Sequence, residues 1–144
     1  MAHGLLQQRL QQEAHRLREP IEVSSAGIFA IDGLTPSKET LQLLRQDGVD
    51  LAGHMAQTLT DAMIRQADLI LVMEQHHAEQ IVHRVSSASG KTFVLKRYGV
   101  PSTQAIGDQN IHDPIGKPLE VYESCFADIR DAVDRVAHAL LSTR

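Results

Sequence analysis

The sequence predicts an α/β fold, a small and mostly parallel sheet flanked by helices. Three observations carry that class. Segments with the three-to-four-residue apolar period of a helix alternate with short apolar runs of strand length. The clearest run, "DLILVM", is apolar without a break over 69–73, as a strand covered on both faces by helices requires. From Leu119 onward, one long pattern places Tyr122, Cys125, Ile129, Val133, Val136 and Leu140 on a single helical face.

The elements follow in order. Leu6, Leu10, Ala14 and Leu17 recur at helical spacing with Gln7, Gln8, Arg9, Gln11, Gln12 and Glu13 between them, predicting a first helix that ends before Glu19-Pro20. No capping residue or turn introduces it, although the first N–H groups of a helix need outside partners. Ile21 and Val23 alternate with Glu22 and Gly27 closes the run, predicting a short strand over 21–24. Thr35-Pro36 is a helix-start signal and Gly48 a stop, with Leu41, Leu43 and Leu44 as the apolar face between them. Residues 49–59 read as irregular, and Thr60-Asp61 as the cap of a short helix ending near Ala67. A helix over 77–85, a loop over 86–90 and a strand over 92–95 follow the apolar run. Residues 99–118 turn to Gly, Pro, Asp and Asn, the composition of a long loop, and loops of that length are often functional.

Composition narrows the function. The 144 residues are expected to form one domain over 1–144, with 42% hydrophobic and 22% charged residues. Two tyrosines, three phenylalanines and no tryptophan leave the core to aliphatic side chains. A formal charge of −4 offers no footprint for nucleic acid. No apolar run approaches a membrane span, so no membrane partner is expected. A single cysteine precludes an internal disulfide, which points to the cytoplasm.

In parallel sheets, ligands sit beyond the C-terminal ends of the strands, which selects residues 24–27, Glu74 and the long loop. Within that loop, Asp113 precedes Pro114 and is held extended by it. A carboxyl there is a candidate general acid, and the competing reading is that Asp-Pro merely starts a turn. Ser25 reads either as a partner of a neighbouring loop or as a turn residue before Gly27. Cys125 precedes Arg130 at one residue short of a Cys-x5-Arg loop, but it lies mid-helix on the apolar face and reads as a small buried hydrophobe. His76, His77 and His83 read as a solvated helix face, because two-turn spacing suits no single metal. His54 and His112 sit in loops as possible polar anchors. No metal and no cofactor is expected.

Taken together, "MAHGLL", "VSSAG", "GVDLAGHMAQTLT", "ADLILVME" and "DPIGKPLEVY" resemble, in order and over nearly the whole chain, the low-molecular-weight protein phosphatase family, which also contains an arsenate reductase branch. The resemblance implies a three-layer α/β/α fold and a phosphorylated protein substrate, hydrolysed through a cysteinyl-phosphate. In the family, a first strand runs into a Cys-x5-Arg-Ser-Pro loop, and a helix beginning Met-Ala-x-x-Leu-Leu follows at once. Met1 falls on that methionine, so the central strand and phosphate loop are missing from this chain. The expectation is that about 15–20 residues precede Met1 in the intact protein. What remains is the bare helix N-terminus on which the phosphate would rest.

The family's roles carry over only where residues match. Asp113 matches the general acid, which protonates the leaving group and later activates water. Ser25 matches a position that helps order the phosphate loop. Ile115 stands where an aromatic often walls the substrate cleft, which leans away from phosphotyrosine and toward the bacterial branch that includes protein-arginine phosphatases. Lacking the nucleophile, the 144-residue chain is expected to be inactive. The alternatives are a non-catalytic module that binds a protein partner and, less well supported, an arsenate reductase fragment, for which Cys125 is a poor redox cysteine.

Overall fold

The computed structural model describes residues 1–142. Helices α1 (Ala2–Gln12), α2 (Lys38–Gln46), α3 (Asp61–Gln66), α4 (Gln75–Arg84) and α5 (Leu119–Ser142) surround two short parallel strands, β1 (Ile70–Val72) and β2 (Thr92–Val94). Single 3-10 turns follow α1, at Ala14–Arg16, and α4, at Ser86–Gly90.

The alternation of side chains along a strand builds the layers. Ile70, Val72 and Val94 face α3 and α4, where they pack with Ile64, Ala78, Ile81, Val85 and Ala88. Leu71, Met73 and Leu95 face the other way, into a core made by Leu5 of α1, Leu43 and Leu44 of α2, and the inner face of α5. The result is the expected three-layer α/β/α arrangement, with the strands paired in register Ile70–Thr92, Leu71–Phe93 and Val72–Val94. Arg9 ties the α1 layer together through Asp47 (2.9 Å) and Asp134 (2.8 Å).

Several expectations need correction. Residues 21–24 form no strand: a strand is a hydrogen-bonded ladder, and no neighbouring strand among the described residues supplies one. Only an isolated bridge between Gly27 and Thr58 forms nearby. The first helix stops at Gln12 and buries Gly4, Leu5 and Leu10, whereas Ala14 and Leu17 lie beyond it and Leu6 is half-buried. Close contact with the 49–51 segment sets this face, since a Cβ on Gly4 would lie 2.9 Å from Val49 Cγ1. The second helix begins at Lys38, because Ser37 rather than Thr35 caps it by accepting the Thr40 N–H (3.2 Å). Along α5, Tyr122, Cys125, Ile129, Val133 and Val136 are buried as expected, but near its end Leu141 is buried and Leu140 only half so. Thr60 caps α3 as its sequence signal indicates, accepting the Met63 N–H (3.2 Å).

Candidate functional site

The loop after β2 returns to the C-terminal end of β1. Arg135 of α5 holds its start, donating to the carbonyls of Tyr98 (2.8 Å) and Lys96 (2.6 Å). Farther along, the buried Ile111 donates its N–H to the Met73 carbonyl (2.8 Å), and Gln75 N–H donates to Asn110 Oδ1 (2.9 Å). These tethers set residues 112–115 beside the strand end, the usual ligand position of a parallel sheet.

Asp113 and Ile115 share one turn there. Asp113 is exposed, and one carboxylate oxygen accepts the Ile115 N–H (3.0 Å), so the turn foreseen from Asp-Pro does form. The other oxygen carries no hydrogen bond among the described residues. Ile115 itself projects outward, 72% exposed.

Ser25 belongs to a second group. Its Oγ lies 2.7 Å from His3 Nδ1 and 3.5 Å from His54 Nε2, and the two imidazoles meet edge to face with centroids 4.9 Å apart. A hydroxyl can donate to one ring nitrogen and accept from the other. Burial first, then the neighbouring His54 and the Met1 amino group, push the pKa of His3 down. Because His3 lies in the first turn of α1, this network fixes the 25–27 segment to that helix N-terminus. Among the described residues no hydrogen bond joins the Ser25 group to the Asp113 turn.

Cys125 is coupled electrostatically to both the Met1 amino group and Asp113. Its thiol is buried on α5, 3.9 Å from the His112 carbonyl. Burial, then the Asp128 carboxylate, raise its pKa, with Asp113 adding to the rise and the Met1 amino group opposing it. It therefore stays protonated at neutral pH and behaves as the buried hydrophobe expected of it.

A third group was only half legible. Glu74, flagged by its place at a strand end, turns out to collect imidazoles. Its Oε1 lies 2.7 Å from His112 Nδ1, and its Oε2 lies 3.2 Å from His76 Nδ1 and 3.8 Å from His77 Nε2. His112 Nε2 is in turn 3.4 Å from Asp108. The two carboxylates raise the pKa of His112, Glu74 foremost. His76 and His77 are therefore not merely a solvated face, while His83 lies in the last turn of α4 outside the group. The signal was in the order "MEQHH": a carboxylate closing a strand two and three residues before paired histidines.

Comparison with known proteins decides the family. The model of the low molecular weight phosphotyrosine protein phosphatases matches residues 1–143. The chain belongs to this family. It is 36% identical over 120 residues to a protein-arginine-phosphatase of Geobacillus stearothermophilus, covering 83% of this chain and 77% of that one. It is 32% identical over 134 residues to a probable low molecular weight protein-tyrosine-phosphatase, EpsP, of Ralstonia solanacearum, covering 93% and 81%. Among solved structures, the YwlE arginine phosphatase from Geobacillus stearothermophilus superposes with a TM-score of 0.80 at 33% identity, covering 99% of this chain and 84% of that chain. The fold of the low-molecular-weight phosphatases is thus established for this chain. No helix among the described residues is long and apolar enough to cross a membrane.

Proposed function

We propose that this chain carries the general acid and one cleft wall of a phosphatase acting on phosphorylated protein, with phosphoarginine preferred to phosphotyrosine. We further propose that the 144 residues by themselves do not turn substrate over. The observation that carries the second point is the state of the only thiol: Cys125 is buried, protonated and set in the middle of a helix, where it cannot attack phosphorus.

In the reaction, a cysteine thiolate attacks phosphorus while the P–N or P–O bond to the substrate breaks. Asp113 gives its proton to the departing nitrogen or oxygen. The same carboxylate then takes a proton from water as that water attacks the cysteinyl-phosphate, releasing inorganic phosphate and the thiolate. Asp113 suits this role because its turn is pinned to the end of β1 and, among the described residues, one oxygen accepts no hydrogen bond. The uncapped N-terminus of α1 adds N–H donors suited to a phosphate. Ser25, bound to His3, holds the 25–27 segment against that terminus. The aliphatic Ile115 offers no ring face to a phosphotyrosine, and a protein-arginine-phosphatase is among the relatives.

The test is to extend the chain N-terminally by a strand and a Cys-x5-Arg-Ser-Pro loop and to assay phosphoarginine and phosphotyrosine peptides. The extended chain should hydrolyse phosphoarginine faster, and Asp113→Asn should lower kcat by about 10²–10⁴-fold. An extended, folded chain without activity would favour the non-catalytic binding module instead.

A further inference from the structure

We propose that Glu74, His76 and His77 bind one divalent transition-metal ion of the zinc type at the C-terminal end of β1, with His112 orienting the Glu74 carboxylate. The inference is independent of the phosphatase reading, since none of these residues has a part in the reaction described above.

The donor set is assembled without any large rearrangement. One ligand atom each from Glu74, His76 and His77 lies within 4.8 Å of the others. Ligand atoms around a tetrahedral zinc stand about 3.3 Å apart, given metal–ligand distances near 2.0–2.1 Å. The Glu74–His76 pair already has that separation at 3.2 Å, and the Glu74–His77 pair stands at 3.8 Å. Two imidazoles and one carboxylate suit zinc, nickel or copper, whereas calcium and magnesium prefer all-oxygen sites.

The surroundings fit as well. Glu74 occupies the N-cap position of α4, yet its side chain does not cap the helix and is turned to the imidazoles instead. The Glu74 side chain is 15% exposed, whereas those of His76 and His77 are 59% and 34% exposed. The carboxylate is therefore held in place while the two imidazole side chains stay accessible from solvent. His112 hydrogen-bonds the other Glu74 oxygen and is braced by Asp108 behind it. An outer partner of that kind fixes a ligating carboxylate and raises metal affinity. The N-terminal dipole of α4 opposes a cation here, and the negative charge of Glu74 offsets it. The competing account is a set of imidazolium–carboxylate pairs that never holds a metal.

The experiment is calorimetric titration of the 144-residue chain with zinc chloride, paralleled by cobalt(II) absorption spectra. One ion per chain, micromolar or tighter, with the intense visible bands of a tetrahedral cobalt site, is the expected result. The surface variant His76→Ala/His77→Ala should lose stoichiometric binding at unchanged circular dichroism, and His112→Ala should weaken it by about 10–100-fold. A control variant, His83→Ala, removes the exposed histidine of the last turn of α4, outside the group, and should bind as the parent does. Absence of stoichiometric binding by the parent chain, or undiminished binding by His76→Ala/His77→Ala, overturns the assignment.

Discussion

The stretch from Thr60 to Leu95 and the stretch from Glu13 to Pro36 have similar fractions of apolar residues, but the chain treats them differently. In the first, Ile64, Val72, Ala78, Ile81, Val85, Ala88, Val94 and Leu95 are all buried, and every strand and helix packs against another part of the same stretch or against α5. In the second, no residue is buried, and Phe29, Ile31 and Leu34 stand 88%, 68% and 54% exposed. An apolar pattern specifies which face of an element should be covered, but the covering partner must also be present. Residues 60–95 bring their own partners, α3 and α4 folding back over β1 and β2. Residues 21–24 have the alternation of a strand and nothing to pair with among the described residues.

The largest effect that sharpens this contrast belongs to Ile64, fully buried under β1. Ile64→Ala should cost about 2–5 kcal/mol through lost burial and a residual cavity, read as a shift of the urea midpoint at constant slope. Next comes the cap of α3. Thr60→Ala removes the hydroxyl that accepts the Met63 N–H and should cost about 1 kcal/mol in the same measurement.

A smaller, pH-dependent effect comes from the boundary between the second stretch and α1, where His3 meets Ser25. Burial depresses the pKa of His3 below its ordinary 6.5, so on acidification the unfolded chain takes up this proton before the folded chain does. The stability that neutral His3 contributes is therefore fully present above about pH 6.5 and is lost as pH falls through the depressed folded value. The urea midpoint of the parent should drop more steeply than that of His3→Gln between about pH 7 and about pH 5. Parallel curves would mean that His3 is not held neutral by the fold. The smallest effect is expected at Phe29, where Phe29→Ser should stay within about 0.5 kcal/mol of the parent. A loss comparable to that of Ile64→Ala would erase the distinction between the two stretches.

The same contrast explains what could be read from the sequence. β1 was legible because five consecutive apolar residues have few alternatives, and α5 because its period persists over many turns. The inner face of α1 was misplaced because Leu5 and Leu6 are adjacent, and period alone cannot choose between them; contact of Gly4 with Val49 and Leu51 made the choice. For the site, the Asp113 turn was legible because Pro114 restricts its neighbour locally. The ties of Ser25 to His3 and of Glu74 to His112 were not, since they join residues 22 and 38 positions apart and depend on tertiary placement.

The central claim is that these 144 residues hold the acid of a phosphatase but no competent nucleophile. It is tested most directly by measuring p-nitrophenyl phosphate hydrolysis by this chain alone, alongside its Asp113→Ala and Cys125→Ser variants. The account predicts no turnover above the buffer blank in any of the three. Turnover by the parent chain that disappears in Asp113→Ala would contradict it, and loss in Cys125→Ser as well would show that the buried thiol attacks phosphorus after all.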